Sequence, residues 1–138
     1  MRLRARHYAT AEVIDITCAD GIIRDVGPPA AGRPDVEAGW VAPALFDLQI
    51  NGCDGRSFNS DHLGIDDVRH VVRVCRRHGI SALFPTLVTN GFDALRHGFS
   101  TLRQACEEDA EVAAAVPGLH LEGPYISAED GPRGAHPR

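Results

Sequence analysis

Short stretches rich in valine, isoleucine and threonine, broken by glycine and proline, occupy the first forty residues. Val13-Ile14-Asp15-Ile16-Thr17 and Ile22-Ile23-Arg24-Asp25-Val26 flank Asp20-Gly21, a pair suited to a two-residue hairpin turn, and predict two antiparallel strands. The segment Gly27-Pro28-Pro29-Ala30-Ala31-Gly32-Arg33-Pro34 reads as a loop, because proline fixes φ and glycine tolerates turns. Residues 36–41 alternate again as a third strand, and Pro43 closes the segment.

The pattern changes at Ala44. The apolar run Ala44-Leu45-Phe46-Asp47-Leu48-Gln49-Ile50 opens an alternation of strands with amphipathic helices. Val68, Val71, Val72 and Cys75 fall at i, i+3, i+4 and i+7, which predicts a helix capped by Asp66 or Asp67 and stopped by Gly79. Residues 80–87 read as a buried strand whose end lies at Pro85-Thr86, and a second helix carries Leu95, Phe99, Leu102 and Cys106 on one face. A third strand is expected over residues 116–122. Strands alternating with helices through short connections lie parallel, so the chain divides into a β segment, residues 1–43, and an α/β segment, residues 44–138. A doubly wound sheet and a (β/α)8 barrel both fit this order. Neither G-x-G-x-x-G nor a P-loop follows the first strand, which removes the usual nucleotide reasons for the doubly wound form.

Composition adds little except exclusions. With 43% hydrophobic and 24% charged residues, the 138-residue chain is that of an ordinary globular protein able to form one core. A net charge of -5 without a cluster of Lys and Arg argues against nucleic acid as a partner. Nothing is long and apolar enough to span a bilayer, and Met1-Arg2-Leu3-Arg4-Ala5-Arg6 is not followed by the apolar run of roughly 7–15 residues of a secretory signal. The expected location is the cytoplasm, without membrane partners. Cys18, Cys53, Cys75 and Cys106 form no C-x-x-C pair and read as reduced, mostly buried thiols. Nothing around Cys53 marks it as a nucleophile.

Candidate chemistry gathers at strand ends. Residues two apart on a strand share a face, so Gln49 and Asn51 point to one side, as do His120 and Glu122. In a barrel, polar residues at the C-terminal ends of strands line the active site, and Gln49, Asn51, Thr86, His120 and Glu122 occupy such ends. Glu122, followed by Gly123-Pro124, is either a metal ligand or an acceptor of turn amide hydrogen bonds. His120 is a ligand or a hydrogen-bonded core histidine, and Gln49 and Asn51 are polar wall residues, poor ligands beside imidazole or carboxylate. The tail Gly131-Pro132-Arg133-Gly134-Ala135-His136-Pro137 is too rich in Gly and Pro for helix and reads as a loop over the same mouth. His136 there is a hydrogen-bond donor to a polar ligand or an exposed histidine, and Arg133 a phosphate contact or a solvated arginine.

These motifs resemble a known family. Val41-Ala42-Pro43-Ala44-Leu45-Phe46-Asp47-Leu48-Gln49-Ile50-Asn51-Gly52, Phe84-Pro85-Thr86-Leu87-Val88-Thr89 and Gly118-Leu119-His120-Leu121-Glu122-Gly123-Pro124-Tyr125-Ile126-Ser127 resemble the first three barrel strands of N-acetylglucosamine-6-phosphate deacetylases, of the amidohydrolase superfamily. The H-L-E-G-P segment followed by Gly134-Ala135-His136 is the most specific part. The resemblance implies the first three βα units of a (β/α)8 amidohydrolase barrel, preceded by part of a small β-sandwich over residues 1–43. It also implies metal-dependent removal of the acetyl group from N-acetylglucosamine 6-phosphate in amino-sugar catabolism. Glu122 matches the metal-binding glutamate, and Ala135 and His136 match the substrate-contacting pair. Gln49, Asn51 and His120 remain possible site-lining residues.

Three departures qualify the match, the slightest being Pro43-Ala44 where the family has Pro-Gly, a change expected to alter only a local turn. The superfamily's His-x-His pair on the first strand is Gln49-x-Asn51 here, as in single-metal members, which implies one divalent ion: zinc, iron, manganese or cobalt. The family's metal-binding histidines and its catalytic aspartate lie in later strands, so the 138 residues are expected to be the N-terminal portion of a longer, homodimeric enzyme and inactive alone. An amidohydrolase of a cyclic amide or N-acyl substrate, or a noncatalytic sugar-binding module, are the competing readings.

Overall fold

Strict alternation of charged with apolar residues starts the first strand. A computed structural model describes residues 1–137, and its β1 (Arg2–His7) sets Arg2, Arg4 and Arg6 on one face. Periodicity of two is present here, but it is carried by arginine, and no apolar β-branched run marks the strand. β2 (Val13–Ala19) and β3 (Ile22–Gly27) form the expected hairpin, and β4 (Val36–Val41) lies parallel to β1. Asp20 and Gly21 have φ of 54° and 73°, the two left-handed conformations that a type I′ turn demands and that Asp-Gly supplies. The sheet order is β3-β2-β1-β4.

Asp15 of β2 is the polar centre of this sheet and is only 5% exposed. Its carboxylate accepts from Arg4 at 2.7 and 2.9 Å and from the Ala30 N–H at 2.9 Å. The Arg4 guanidinium, helped by the Ala30 amide and Arg2, lowers the Asp15 pKa from the ordinary 3.8 to about 2. Arg2 in turn donates to the carbonyls of Ala31, Gly32 and Arg33, so the proline-rich loop is held by side chains that β1 and β2 present to it.

The chain divides into two compact units after Pro43. The second is mixed α/β. β5 (Leu45–Ile50) leads into a two-residue-per-strand hairpin, β6 (Gly52–Cys53) and β7 (Arg56–Ser57), too short to show a period in the sequence. Then follow α1 (Ile65–Arg77), β8 (Ile80–Val88), α2 (Phe92–Glu108), α3 (Ala110–Ala115) and β9 (His120–Glu122). β5, β8 and β9 form a parallel sheet in the order β5-β8-β9.

The helix α1 buries Val68, Val71, Val72 and Cys75, the predicted stripe. Its cap differs from the expectation of Asp66 or Asp67. Gly64 is the N-cap, and Asp67, three residues in, reaches back to accept from the Gly64 N–H at 2.9 Å, so the carboxylate caps from inside the first turn. The stripe packs against Leu83 and Leu87 of β8, with Leu102 and Ala105 of α2 and Val112 and Ala115 of α3 completing the core. Burying one such aliphatic side chain contributes about 1.5–3 kcal/mol. Gly98 on α2 permits the close approach to β8, since a Cβ there would lie 2.8 Å from Leu87 Cδ1.

The expected strand over residues 116–122 is shorter and later. Asp109 leaves the helical conformation with φ -133° and caps a new helix by accepting from the N–H groups of Glu111 and Val112. Val116 is therefore the C-cap of α3 and reaches the core from a helix end, while only residues 120–122 pair with β8. All four cysteines are free, and burial, with Cys53 alongside, pushes the Cys75 thiol up to about 11, as suits an inert core thiol. Leu45 and Leu48 of β5 are 63% and 66% exposed. Among the described residues no helix is long and apolar enough to cross a membrane.

Candidate active site

The C-terminal end of β8 is held on the β5 side by a side chain rather than by a strand. Pairing with β5 ends at Ile50 opposite Pro85, leaving the Thr86 carbonyl and the Val88 N–H beyond the ladder on that edge. Asn59, in the segment after β7, supplies both partners: its Nδ2 donates to the Thr86 carbonyl at 3.0 Å and its Oδ1 accepts from the Val88 N–H at 2.8 Å. One amide thus stands in for a strand peptide. On the other edge β9 pairs Thr86 with His120 and Val88 with Glu122.

Beyond this clamp lies a cavity of about 380 Å³ lined by Gln49, Asn51, Val88, Thr89, Glu122, Ala135, His136 and Pro137. Its size falls within the usual range for small-molecule sites, roughly 300–1,000 Å³. Glu122 is the one carboxylate among the lining residues, and both its oxygens are engaged. Gln49 Nε2 donates to Oε2 at 2.6 Å, and His136 Nε2 lies 3.2 Å from Oε1. His136 and Glu122 are both partly buried, with side chains 16% and 35% exposed. The other ring nitrogen of His136, Nδ1, lies 2.9 Å from Thr89 Oγ1, which is itself 3.2 Å from the Glu122 backbone carbonyl.

The loop that carries His136 is fastened from within. Arg133 donates through Nη1 to the His136 carbonyl at 2.7 Å and pairs with Asp130, and its side chain is only 20% exposed. It is neither a solvated arginine nor a fork turned toward the cavity. Gly123, with φ +88°, makes room for the Thr89 hydroxyl, because a Cβ at that position would fall 1.9 Å from Thr89 Oγ1.

Of the residues singled out in the sequence, Gln49, Asn51, Glu122, Ala135 and His136 come together here. His120 does not line the cavity. It sits one step of the strand pleat deeper, its Nδ1 3.2 Å from the hydroxyl of the fully buried Thr86. Asn51 reaches the same Thr86 only weakly, at 3.5 Å to the carbonyl. Thr89, Asn59 and the supporting role of Arg133 were not legible, since each depends on contacts 27 or more residues away or on a turn fold. Thr89 does stand at the end of a strand-like run, the one local hint.

Among the described residues no group of three or more His, Cys, Asp or Glu is placed to hold a metal ion. Glu122 offers one ligand and His136 stands beside it, so the cavity contributes part of a metal site and not a complete one.

No family model matches the chain. It is 37% identical over 106 residues to the N-acetylglucosamine-6-phosphate deacetylase of Danio rerio, covering 76% of this chain and 25% of that protein. To the N-acetylgalactosamine-6-phosphate deacetylase of Escherichia coli O157:H7 it is 29% identical over 139 residues, covering 98% of this chain and 36% of that one. Among solved structures, a variant N-acetyl-D-glucosamine-6-phosphate deacetylase from Mycobacterium smegmatis in complex with N-acetyl-D-glucosamine-6-phosphate matches with a TM-score of 0.73 at 28% identity, over 92% of this chain and 33% of that chain. The chain thus spans about a quarter to a third of the length of the proteins it matches. By shared sequence and shared fold together, it belongs to the N-acetylglucosamine-6-phosphate deacetylase family, of which it represents an N-terminal portion.

Proposed function

We propose that the protein carrying this chain hydrolyses the acetamido group of N-acetylglucosamine 6-phosphate, giving glucosamine 6-phosphate and acetate in amino-sugar catabolism. Residues 44–138 supply the first three βα units of a (β/α)8 barrel, and residues 1–43 part of a small β-sandwich. The observation that carries this reading is the meeting of Gln49 and Asn51 at the end of β5, Thr89 at the end of β8 and Glu122 at the end of β9 around one cavity. Barrel enzymes place their active sites at this end of their parallel strands. The name of the Mycobacterium smegmatis complex supports an amino-sugar phosphate as the ligand class.

In this reading Glu122 is the ligand that this chain contributes to one divalent ion: zinc, iron, manganese or cobalt. Such an ion polarises the acetyl carbonyl and lowers the pKa of water. Gln49 fixes the rotamer of Glu122 by its 2.6 Å hydrogen bond, and Asn51 lines the wall. Ala135 and His136 contact the substrate, with the backbone of His136 braced by Arg133. The remaining ligands and the proton-shuttling aspartate belong, as in the family, to later strands. The enzyme works in the cytoplasm as a homodimer.

The 2-acetamido galactose epimer is the second candidate substrate, favoured by the near-complete coverage of this chain by the galactosamine-type relative. Acetate release by the full-length protein, measured side by side on the two 6-phosphates, on unphosphorylated N-acetylglucosamine and on a cyclic amide, decides between them. Preference for N-acetylglucosamine 6-phosphate is expected. Turnover of the cyclic amide alone, or of none of the four, overturns the proposal.

A further inference from the structure

The Thr89 hydroxyl touches two members of the cavity at once, 2.9 Å from His136 Nδ1 and 3.2 Å from the Glu122 carbonyl. A hydroxyl carries one proton and two lone pairs, and the imidazole beside it exists in two tautomers and one charged form. The carboxylate at Oε1 of Glu122 accepts only, so Nε2 of His136, 3.2 Å away, must carry a proton for that contact to be a hydrogen bond. When the ring is neutral, Nδ1 is then an acceptor, and Thr89 donates to it.

We infer that Thr89 is a positioning residue. It holds Nδ1 of His136 so that Nε2 faces Glu122 and the cavity. Three features of the chain converge on this placement. Gly123 lacks the Cβ that would lie 1.9 Å from the Thr89 oxygen. The Asn59 amide fixes the Val88 backbone just before Thr89. Arg133 fixes the His136 carbonyl through Nη1. The donor that a polar group of the substrate meets is therefore set by a residue that does not itself ligate or react. Partners that orient a site imidazole through its second nitrogen commonly matter by about 10–100-fold.

The kinetic part of the test rests on the deacetylase reading, whereas the spectroscopic part does not. In the full-length protein, Thr89→Val keeps the shape and removes the hydroxyl, and KM for N-acetylglucosamine 6-phosphate is expected to rise at least about 10-fold, with metal content per chain unchanged. Thr89→Ser restores the wild-type KM. In a His136→Ala background Thr89→Val adds no further loss, since its effect runs through the imidazole. Long-range proton–nitrogen NMR of His136, at a pH where the ring is neutral, shows the proton on Nε2 in the wild type and divided between the two nitrogens in Thr89→Val. A wild-type protein with the proton on Nδ1 overturns the inference even if Thr89→Val fails to fold. So does a Thr89→Val loss that persists in full in the His136→Ala background. A wild type with the expected Nε2 proton but no turnover of the sugar phosphate leaves the positioning intact and overturns the deacetylase reading instead.

Discussion

Gln49 and Glu122 stand 73 residues apart in the chain, yet the amide Nε2 of the first donates to the carboxylate Oε2 of the second across 2.6 Å. That contact joins the ends of β5 and β9 over the end of β8, and it orients the one acid among the described lining residues. In the full-length protein Glu122→Gln keeps the volume but puts a neutral amide against a neutral amide and removes the negative charge that a divalent cation needs. Metal content should collapse and kcat/KM should fall by on the order of 100-fold. Metal analysis of the purified variant beside its turnover checks this, and full metal with normal turnover would reduce Glu122 to a turn residue.

Only one tightly held ion per active chain is expected. Gln49 and Asn51 are neutral amides where a second ion would need imidazoles, and such donors lose a transition metal readily to water and buffer. Elemental analysis against active-site concentration measures the ratio, and two tightly bound ions at full activity would contradict it. Changing both residues to histidine should move the ratio toward two.

Asn59→Ala removes the acceptor of the Val88 N–H and leaves the Thr86 carbonyl with only the long 3.5 Å contact from Asn51. Each such loss in a partly buried setting costs about 1–3 kcal/mol, so the urea midpoint should drop measurably. Asn59→Asp keeps the acceptor for Val88 but turns a carboxylate oxygen toward the Thr86 carbonyl, and should not rescue. An unchanged midpoint in Asn59→Ala would show that water replaces the clamp without loss.

Asp15 should titrate at about 2, below its ordinary 3.8, because Arg4 and the Ala30 amide favour its charged form. A depressed carboxylate contributes stability that is fully present above its unfolded pKa and lost as pH falls through the folded value. Acid should therefore loosen the N-terminal sheet across the interval from about 4 down to about 2. Carboxyl-detected NMR titration gives the midpoint directly. Arg4→Ala should raise it toward 3.8, and a midpoint that stays put would remove the ion pair as its cause.

Residues 1–138 prepared alone should release no acetate from N-acetylglucosamine 6-phosphate, since the described residues place no cluster of three metal-ligating side chains. The same preparation should self-associate. β5 and β9 each have a single strand neighbour in their sheet, and Leu45 and Leu48 on β5 are exposed. Acetate assay and light scattering test the two halves separately, and metal-dependent turnover by a monomer would contradict both.

Much of this was written locally. The Asp20-Gly21 turn, the valine stripe of α1 and the strand ends at Gln49 and Glu122 follow from side-chain periodicity and turn chemistry, which act over a few residues and survive in any context that buries one face. The break at Asp109 is also locally encoded, but a capping carboxylate competes with helix continuation and with the apolar run after it, whose composition suits a strand equally. What only the tertiary structure decided is which polar residues share the cavity. His120 and Glu122 have the same spacing rule, yet one strand step separates a side chain bonded to buried Thr86 from one that faces the opening. Arg133 turned inward, Asn59 replaced a strand, and Thr89 came to rest on His136 because distant segments left backbone and ring groups that only those side chains could reach. Hydrogen bonds of that kind are set by where chain segments end in space, and no period in the sequence encodes it.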